Sequence, residues 1–277
     1  MSIKAIINTE SGSVPTDAGN ALSAELSDGL DTLSCVVGSE LCNAMEGLDL
    51  SREDTLIVWG GDGTAAAALT RCSTTGAAVL ALPGGTMNLL HRRIHGDVSD
   101  WRDILHAALS TEPRPLSAGC VNDAPFFVAL MAGRLTHLTE VRETLRSGDI
   151  AGAARHAAGS DALDLRSALK VDRSGATRHA TALAAFLPEA PSAGPLEVGL
   201  LDPDHLAELA LTSFAAILSD WRSAPGVDYE TWDRFRLELT DGPWIDITLD
   251  GEARKADENM EVRFLENAAR VLSARQA

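Results

Sequence analysis

Two glycine-rich turns hold the residues of this chain best suited to chemistry: Gly60-Gly61-Asp62-Gly63-Thr64 and Pro83-Gly84-Gly85-Thr86-Met87-Asn88. Each follows a short apolar run and opens a stretch with helical patterning. Glycine lets a backbone come close to a ligand, and a helix N-terminus offers an anion unpaired N–H groups and a partial positive charge. Two such turns, one strand–helix–strand unit apart, fall side by side at the carboxyl edge of a parallel sheet, where open α/β sheets bind ligands. The chemistry this predicts is the binding of a nucleotide or another phosphate. Asp62 is the odd member of its turn. A carboxylate among phosphate-binding glycines repels the ligand unless it holds a metal, orients a hydroxyl or takes a proton.

Composition removes several phosphate binders. Lysine occurs only as Lys4, Lys170 and Lys255, none of them beside the turns. A Walker A loop needs Gly-Lys-Ser/Thr and a protein-kinase site needs a strand lysine, and neither is present. The charge of a bound triphosphate must then be offset by backbone N–H groups, Mg²⁺ and arginine. His91, Arg92 and Arg93 follow the second turn and read equally as phosphate counter-charges or as a solvated helix face. The segment Gly61–Ala66 also satisfies the loose dinucleotide pattern G-x-G-x-x-A, but the acidic ribose partner expected about 20 residues on is missing around Ala78–Leu82.

A net charge of −17 argues against a general nucleic-acid or anionic-membrane surface. The cysteines Cys35, Cys42, Cys72 and Cys120 lack paired spacing and read as buried reduced thiols. The sequence has no run apolar enough to cross a bilayer and no charged-then-apolar leader, so a cytoplasmic protein is expected.

The elements that must position the turns alternate. Strands are expected at Ile3–Asn8, Leu33–Val37, Thr55–Trp59 and Ala77–Leu82. Helices are expected over Asp17–Asp28, Glu40–Glu46, Ala65–Cys72, Met87–Ile94 and Trp101–Leu109. Such alternation predicts a parallel sheet covered on both faces. From Pro113 the texture changes. Arg114–Cys120 and Pro125–Met131 read as strands around an Asn122-Asp123 turn, and Gly133–Gly159 reads as helical. Further strands are expected at Ala168–Asp172, Ala180–Leu187, Leu196–Leu201, Phe235–Thr240 and Trp244–Leu249, with a loop over Ser223–Asp228. The fold class is therefore an α/β N-terminal domain, residues 1–113, with a parallel sheet and glycine-rich nucleotide loops, plus a mainly antiparallel β-rich domain, residues 114–277.

Together the two turns resemble those of the diacylglycerol kinase catalytic-domain superfamily, which includes sphingosine kinases and bacterial lipid kinases. Asn8, followed by Ser11-Gly12, is similar to the family's opening Asn-Pro…Ser-Gly turn. Asp250-Gly251-Glu252 is similar to its late Asp-Gly-Glu element, and Arg270-Val271-Leu272 resembles its closing strand. The resemblance implies an N-terminal domain that binds ATP, a C-terminal domain that holds the lipid, and an active site between them. It implies nucleotide contacts from Asn8, Gly61, Asp62, Gly63, Thr64, Gly85, Thr86, Asn88 and Glu252. The expected cofactors are ATP and Mg²⁺, and the expected partner is a lipid or hydrophobic alcohol, with transient membrane contact. Asp62 and Asp250 are the candidates to accept or orient the attacking hydroxyl, Asp62 being preferred.

The chain departs from the family at Thr9, where proline is usual, and at Leu89-Leu90, where an acidic residue often stands. In the second domain the usual acidic metal residues reduce to Glu197 within Ala193–Val198, so the metal ligands stay unassigned. Asp250-Gly251-Glu252 also reads as an ordinary hairpin turn. Three functions are thus open: a lipid kinase, a relative of NAD kinases, and a non-enzymatic nucleotide or lipid sensor on the same scaffold.

Overall fold

The computed structural model describes residues 2–133, 169–190, 194–201, 222, 227–240 and 244–275. Two compact units emerge: Met1–Ala118 with Glu189–Ala193 and Leu265–Ala277, and Gly119–Pro188 with Gly194–Phe264. Relative to a cut between residues 113 and 114, the first unit also takes in Arg114–Ala118, Glu189–Ala193 and the C-terminal segment.

In the first unit, β1 (Ile3–Asn8), β2 (Leu30–Val36), β3 (Thr55–Gly60) and β4 (Ala78–Pro83) pair in parallel in the order β2-β1-β3-β4. β3 is buried along its whole length and β4 up to Pro83, which is why both read as unbroken apolar runs. On one face Ile7, Ile57, Trp59, Leu80 and Leu82 form a core with Leu22 of α1 (Ala18–Leu26) and with Ile104, Leu105 and Ala108 of α5 (Trp101–Leu109). The alternate residues Ile6, Leu56, Val58, Val79 and Ala81 are equally buried, and α3 (Asp62–Thr75) lies against β3 and β4. α2 (Leu41–Glu46) packs beside α3. Gly76, in the left-handed region at φ 77°, ends α3 by donating its N–H to Cys72 O.

The strand order matters for function. β2 lies on one side of β1 and β3, with β4 beyond it, on the other, so the connections that leave β1 and β3 diverge at a topological switch point. Both the Asn8 turn and the Gly60–Thr64 turn leave the sheet there.

The short helix α4 (Leu89–His95) follows the second glycine turn and is fixed by buried polar side chains. Arg93 donates from Nη1 to Ser117 O (2.8 Å) and from Nη2 to Ser117 Oγ (2.7 Å) on β5 (Arg114–Val121). The His95 ring bonds Ala81 O through Nε2 at 2.8 Å, while its Nδ1 accepts the Ala274 N–H at 3.2 Å. Arg93 and His91 thus do not belong to a solvated face; Arg92 does, paired with Asp97 at 3.8 Å.

The second unit is antiparallel. β5 meets β6 (Ala124–Phe126) across the Asn122-Asp123 turn, with Val121 opposite Ala124. One sheet runs β12 (Val227–Trp232), β11 (Leu196–Leu201), β10 (Ala182–Phe186), β7 (Ala129–Gly133), β14 (Trp244–Leu249), β15 (Glu252–Asp257). In the other, β13 (Arg234–Leu239) pairs with β8 (Leu169–Arg173), which pairs with β9 (Ala176–Ala180). Leu130, Leu183, Val198 and Ile247 from the first meet Val171, Phe235 and Leu237 from the second in one core. β16 (Asn259–Val271) starts in this unit, antiparallel to β13, and ends in the first unit, where Arg270 and Val271 run parallel to Ala78 and Val79. The expected helical stretch over Gly133–Gly159 lies, beyond Gly133, outside the described residues. Cys72 and Cys120 are buried as expected, whereas Cys35 and Cys42 are exposed. Among the described residues no helix is long and apolar enough to cross a membrane.

His95 makes this packing sensitive to acid. Burial pushes its imidazole down to about 4, against the pull of the Ala81 bond. The unfolded chain takes that proton near its ordinary value, about 6.5. Stability from the neutral ring is therefore full above that value and is lost as pH falls toward 4. Between pH 7 and pH 5 the loss should be about 2 kcal/mol, read by denaturant unfolding at the two pH values. His95→Gln, which cannot take a proton, should lack this increment. An equal loss in the variant would show that other groups carry it.

Candidate functional site

The loops at the carboxyl edge of the parallel sheet are tied to one another. Asn8 accepts the Glu10 N–H through Oδ1 (3.2 Å) and donates from Nδ2 to Thr64 Oγ1 (3.0 Å), joining the β1 and β3 loops. The Gly61 N–H donates to Ser11 Oγ at 3.2 Å. Ser13 reaches the second glycine turn, its N–H donating to Gly84 O and its hydroxyl to Gly85 O, both at 3.0 Å. Gly84 N–H donates to Gly60 O at 2.8 Å. The loop after β2 joins through Glu10, whose carboxylate accepts the Gly38 N–H at 2.8 Å.

The glycines serve this close approach first. A Cβ on Gly84 would stand 2.4 Å from Val14 Cγ2 and 3.0 Å from Gly60 Cα, and one on Gly85 would stand 2.8 Å from Gly61 Cα. The two turns lie backbone against backbone, which no residue with a side chain allows. Thr64, only 5% exposed, is a strut between loops rather than an open hydroxyl. Asn88 sits in the left-handed region (φ 50°) and folds its amide back on Gly85, accepting the N–H at 2.9 Å and donating to the carbonyl at 3.0 Å. Gly63 and Thr86 are exposed, and Met87 is 40% exposed at the tip. Gly61 caps α3 without a side chain, so the N–H groups of its first turn gain no acceptor from the cap.

Asp62 stands in the first turn of α3, yet its carboxylate belongs to α4. Oδ2 accepts the Leu89 N–H at 2.9 Å, and Oδ1 accepts the Leu90 N–H at 3.0 Å and faces His91 Nδ1 at 3.1 Å. Burial pulls this carboxyl upward, but the His91 ring and the two N–H groups outweigh it and hold the group below the ordinary carboxylate range. A carboxylate so held is a weak proton acceptor at neutral pH. It joins the two glycine turns by capping the helix that the second turn opens.

In the second unit, Asp250 and Gly251 form the two-residue turn between β14 and β15, with Leu249 opposite Glu252 and both φ values positive (52° and 91°). That is the type I′ hairpin geometry for which an Asp-Gly pair is suited. The Asp250 carboxylate accepts three consecutive backbone N–H groups, from Phe127 (2.8 Å), Val128 (2.7 Å) and Ala129 (3.0 Å). Glu252 is exposed, with Arg254 Nη2 at 3.4 Å. Glu197 is paired with Arg222. The second unit also carries a groove of about 460 Å³ with Val121, Ile247 and Leu249 in its lining and Arg254 and Lys255 alongside.

Within the first unit the hydrogen bonds thus bring Asn8, Gly61, Asp62, Thr64, Gly85 and Asn88 together, while Asp250 and Glu252 belong to the second unit. The roles of Ser13 and His91 escape sequence reasoning. Ser13 looks like any loop serine, and His91 stands 29 residues from the carboxylate it faces. Among the described residues no three His, Cys, Asp or Glu side chains group as a metal site.

Residues 3–121 match the family model of the diacylglycerol kinase catalytic domain, the stretch that contains both glycine turns. No curated protein matches the chain. Among solved structures, a diacylglycerol kinase from Bacillus anthracis str. Sterne aligns with a TM-score of 0.69 at 13% identity, over 98% of this chain and 96% of that one. Two further structures from that organism, provisionally named diacylglycerol kinases, align with TM-scores of 0.70 and 0.68 at 14% and 15% identity. Each covers 98% of this chain, and 97% and 96% respectively of its own length is matched. At such identities the likeness is one of fold: an α/β unit followed by an antiparallel β-rich one. The resemblance carried by the two turns is thus matched over residues 3–121.

The geometry makes Asp62→Asn more than a neutral swap of charge. An amide NH₂ would replace one acceptor and face a backbone N–H. A loss of about 1–3 kcal/mol is expected, with faster hydrogen exchange at Leu89 or Leu90. Unchanged unfolding and unchanged exchange would contradict the capping role.

Proposed function

We propose that this chain transfers the γ-phosphoryl group of ATP to a hydroxyl of a lipid or another hydrophobic alcohol. The observation that carries the reading is the cross-tied set of loops at the switch point, within the stretch that matches a kinase domain. In phosphoryl transfer a protein supplies chiefly positioning and charge stabilisation. Gly63 and Thr86 are the proposed contacts to the nucleotide phosphates, through backbone N–H groups and the exposed Thr86 hydroxyl, while the Gly61 and Gly85 N–H groups are taken up by Ser11 and Asn88. Asn8, Thr64 and Asn88 hold the loops in register. Arg93 is held by Ser117 inside the first unit, and the exposed Arg92 faces Asp97. Mg²⁺ fits as a counter-ion carried by the phosphates, since such ions are commonly bound through one or two carboxylates plus phosphate oxygens and water rather than by an all-protein cage.

The sequence favours Asp62 and Asp250 as the acids nearest the chemistry, but both carboxylates are taken up by backbone N–H groups. Glu252 is the exposed one of the three, beside Arg254 at 3.4 Å, and we assign it the proton-accepting or ligand-binding role. The engagement of Asp62 and Asp250 also favours a second reading, a nucleotide sensor that binds without turnover.

The deciding experiment is labelled γ-phosphate transfer from Mg·ATP to diacylglycerol, monoacylglycerol and sphingoid-base micelles and to NAD. Labelled lipid is expected, with Glu252→Gln slower by about 10²-fold or more. Binding of ATP without transfer to any acceptor would favour the sensor, and transfer to NAD alone would name a different kinase. Thr86→Ala should weaken ATP binding by roughly three- to tenfold, the worth of one hydrogen bond; unchanged affinity would remove the second turn from the site.

A further inference from the structure

His91 is 3% exposed, and its two ring nitrogens have unequal surroundings. Nδ1 lies 3.1 Å from Asp62 Oδ1, the oxygen that also accepts the Leu90 N–H. Nε2 is buried and, among the described residues, has no hydrogen-bond partner. An ionised carboxylate can only accept, so the proton at this contact sits on Nδ1. A proton on Nε2 would be a buried donor with nothing to meet, so the neutral ring that fits carries its lone pair there. One polar atom of this side chain is therefore left unsatisfied, at a cost of about 1–3 kcal/mol, which an apolar residue of similar size would avoid. What the histidine adds over such a residue is its single bond to Asp62.

That bond has two consequences. Leu89 and Leu90 hold the carboxylate from the backbone side, and the ring supplies a third donor from a side chain, which limits rotation about the Asp62 side-chain bonds. It also sets a donor against a negative charge beside the turns that would receive a polyanion, in a chain of net charge −17 with no lysine near them. We propose that His91 is a positioning residue for the nucleotide loops, acting through Asp62 to hold the Gly84–Asn88 turn against the Gly60–Thr64 turn and to mask the carboxylate from phosphate. This rests on the reading that these turns bind ATP.

The test compares three variants of the full chain. His91→Asn keeps an N–H donor close to the place of Nδ1, His91→Gln moves it toward the place of Nε2, and His91→Leu fills the space without a donor. ATP affinity by calorimetry should fall about tenfold in His91→Leu and His91→Gln, and His91→Asn should recover most of it. Hydrogen exchange at Leu89 and Leu90 should follow the same order, and the ¹⁵N spectrum of the wild-type ring should place the proton on Nδ1. Wild-type affinity in His91→Leu, or no advantage of Asn over Gln, would overturn the proposal. If His91→Leu does not fold, the Asn and Gln pair decides alone. Should the wild type bind no ATP, the functional reading fails separately. Exchange rates then judge the positioning role: protection regained only with Asn supports it, and equal exchange in all variants overturns it.

Discussion

The Asp62 carboxylate, gripped by the N–H groups of Leu89 and Leu90 and faced by His91, is the interaction on which the arrangement of the glycine turns depends. Two loops that follow different strands have no covalent reason to keep a fixed spacing. A short, partly buried carboxylate with three donors supplies one, because charge-assisted hydrogen bonds are stronger and more directional than neutral ones. The other ties, through Asn8, Ser11 and Ser13, use side chains of the β1 loop in the same way. The rigid elements beneath make these bonds effective: β3 and β4 are buried on both faces, and α4 is pinned through Arg93 and His95 to β5, β4 and the C-terminal segment.

This arrangement changes what the glycines mean. In a phosphate-binding turn they are commonly read as room for the ligand. Gly84 and Gly85 are needed first because the loops touch each other, where a Cβ would stand 2.4 Å from Val14 Cγ2 and 2.8 Å from Gly61 Cα, and Gly60 because a Cβ there would stand 2.6 Å from Thr64 Oγ1 of its own turn. The exposed Gly63 and Thr86 remain for a ligand. Close loop packing uses the N–H groups of Gly61, Gly84 and Gly85, and it sets the exposed Gly63 and Thr86 on loops held to one another. For a polyanion site with no lysine beside it in sequence, backbone dipoles are one source of positive potential.

Much of the first unit was legible in sequence because buried parallel strands are written as continuous apolar runs. Ile3–Asn8 and Trp101–Leu109 are found with the expected bounds, and Thr55–Gly60 and Ala78–Pro83 with ends displaced by a residue. The second unit was less readable. β15, Glu-Ala-Arg-Lys-Ala-Asp, is an exposed edge strand with no apolar face to announce it. β12 begins at Val227, inside an expected loop. β16 runs thirteen residues, where only its closing Arg270-Val271-Leu272 was read as strand. At the site, motif residues were visible but their partners were not. Nothing local tells that Asp62 turns to α4, that Asp250 wraps three backbone N–H groups, or that Thr64 is a strut, because each role is set by residues brought together only in the fold.

The central claim is that the cross-tied turns form one anion-binding edge. It is tested most directly by following backbone amide resonances of the full chain during titration with ATP. The account predicts saturable shifts concentrated at Gly61, Asp62, Gly63, Gly85 and Thr86, in both turns together and with one apparent affinity. Saturable binding that leaves these amides unmoved, or that shifts only residues such as Asn122, Arg254 and Lys255 around the groove of the second unit, would contradict it.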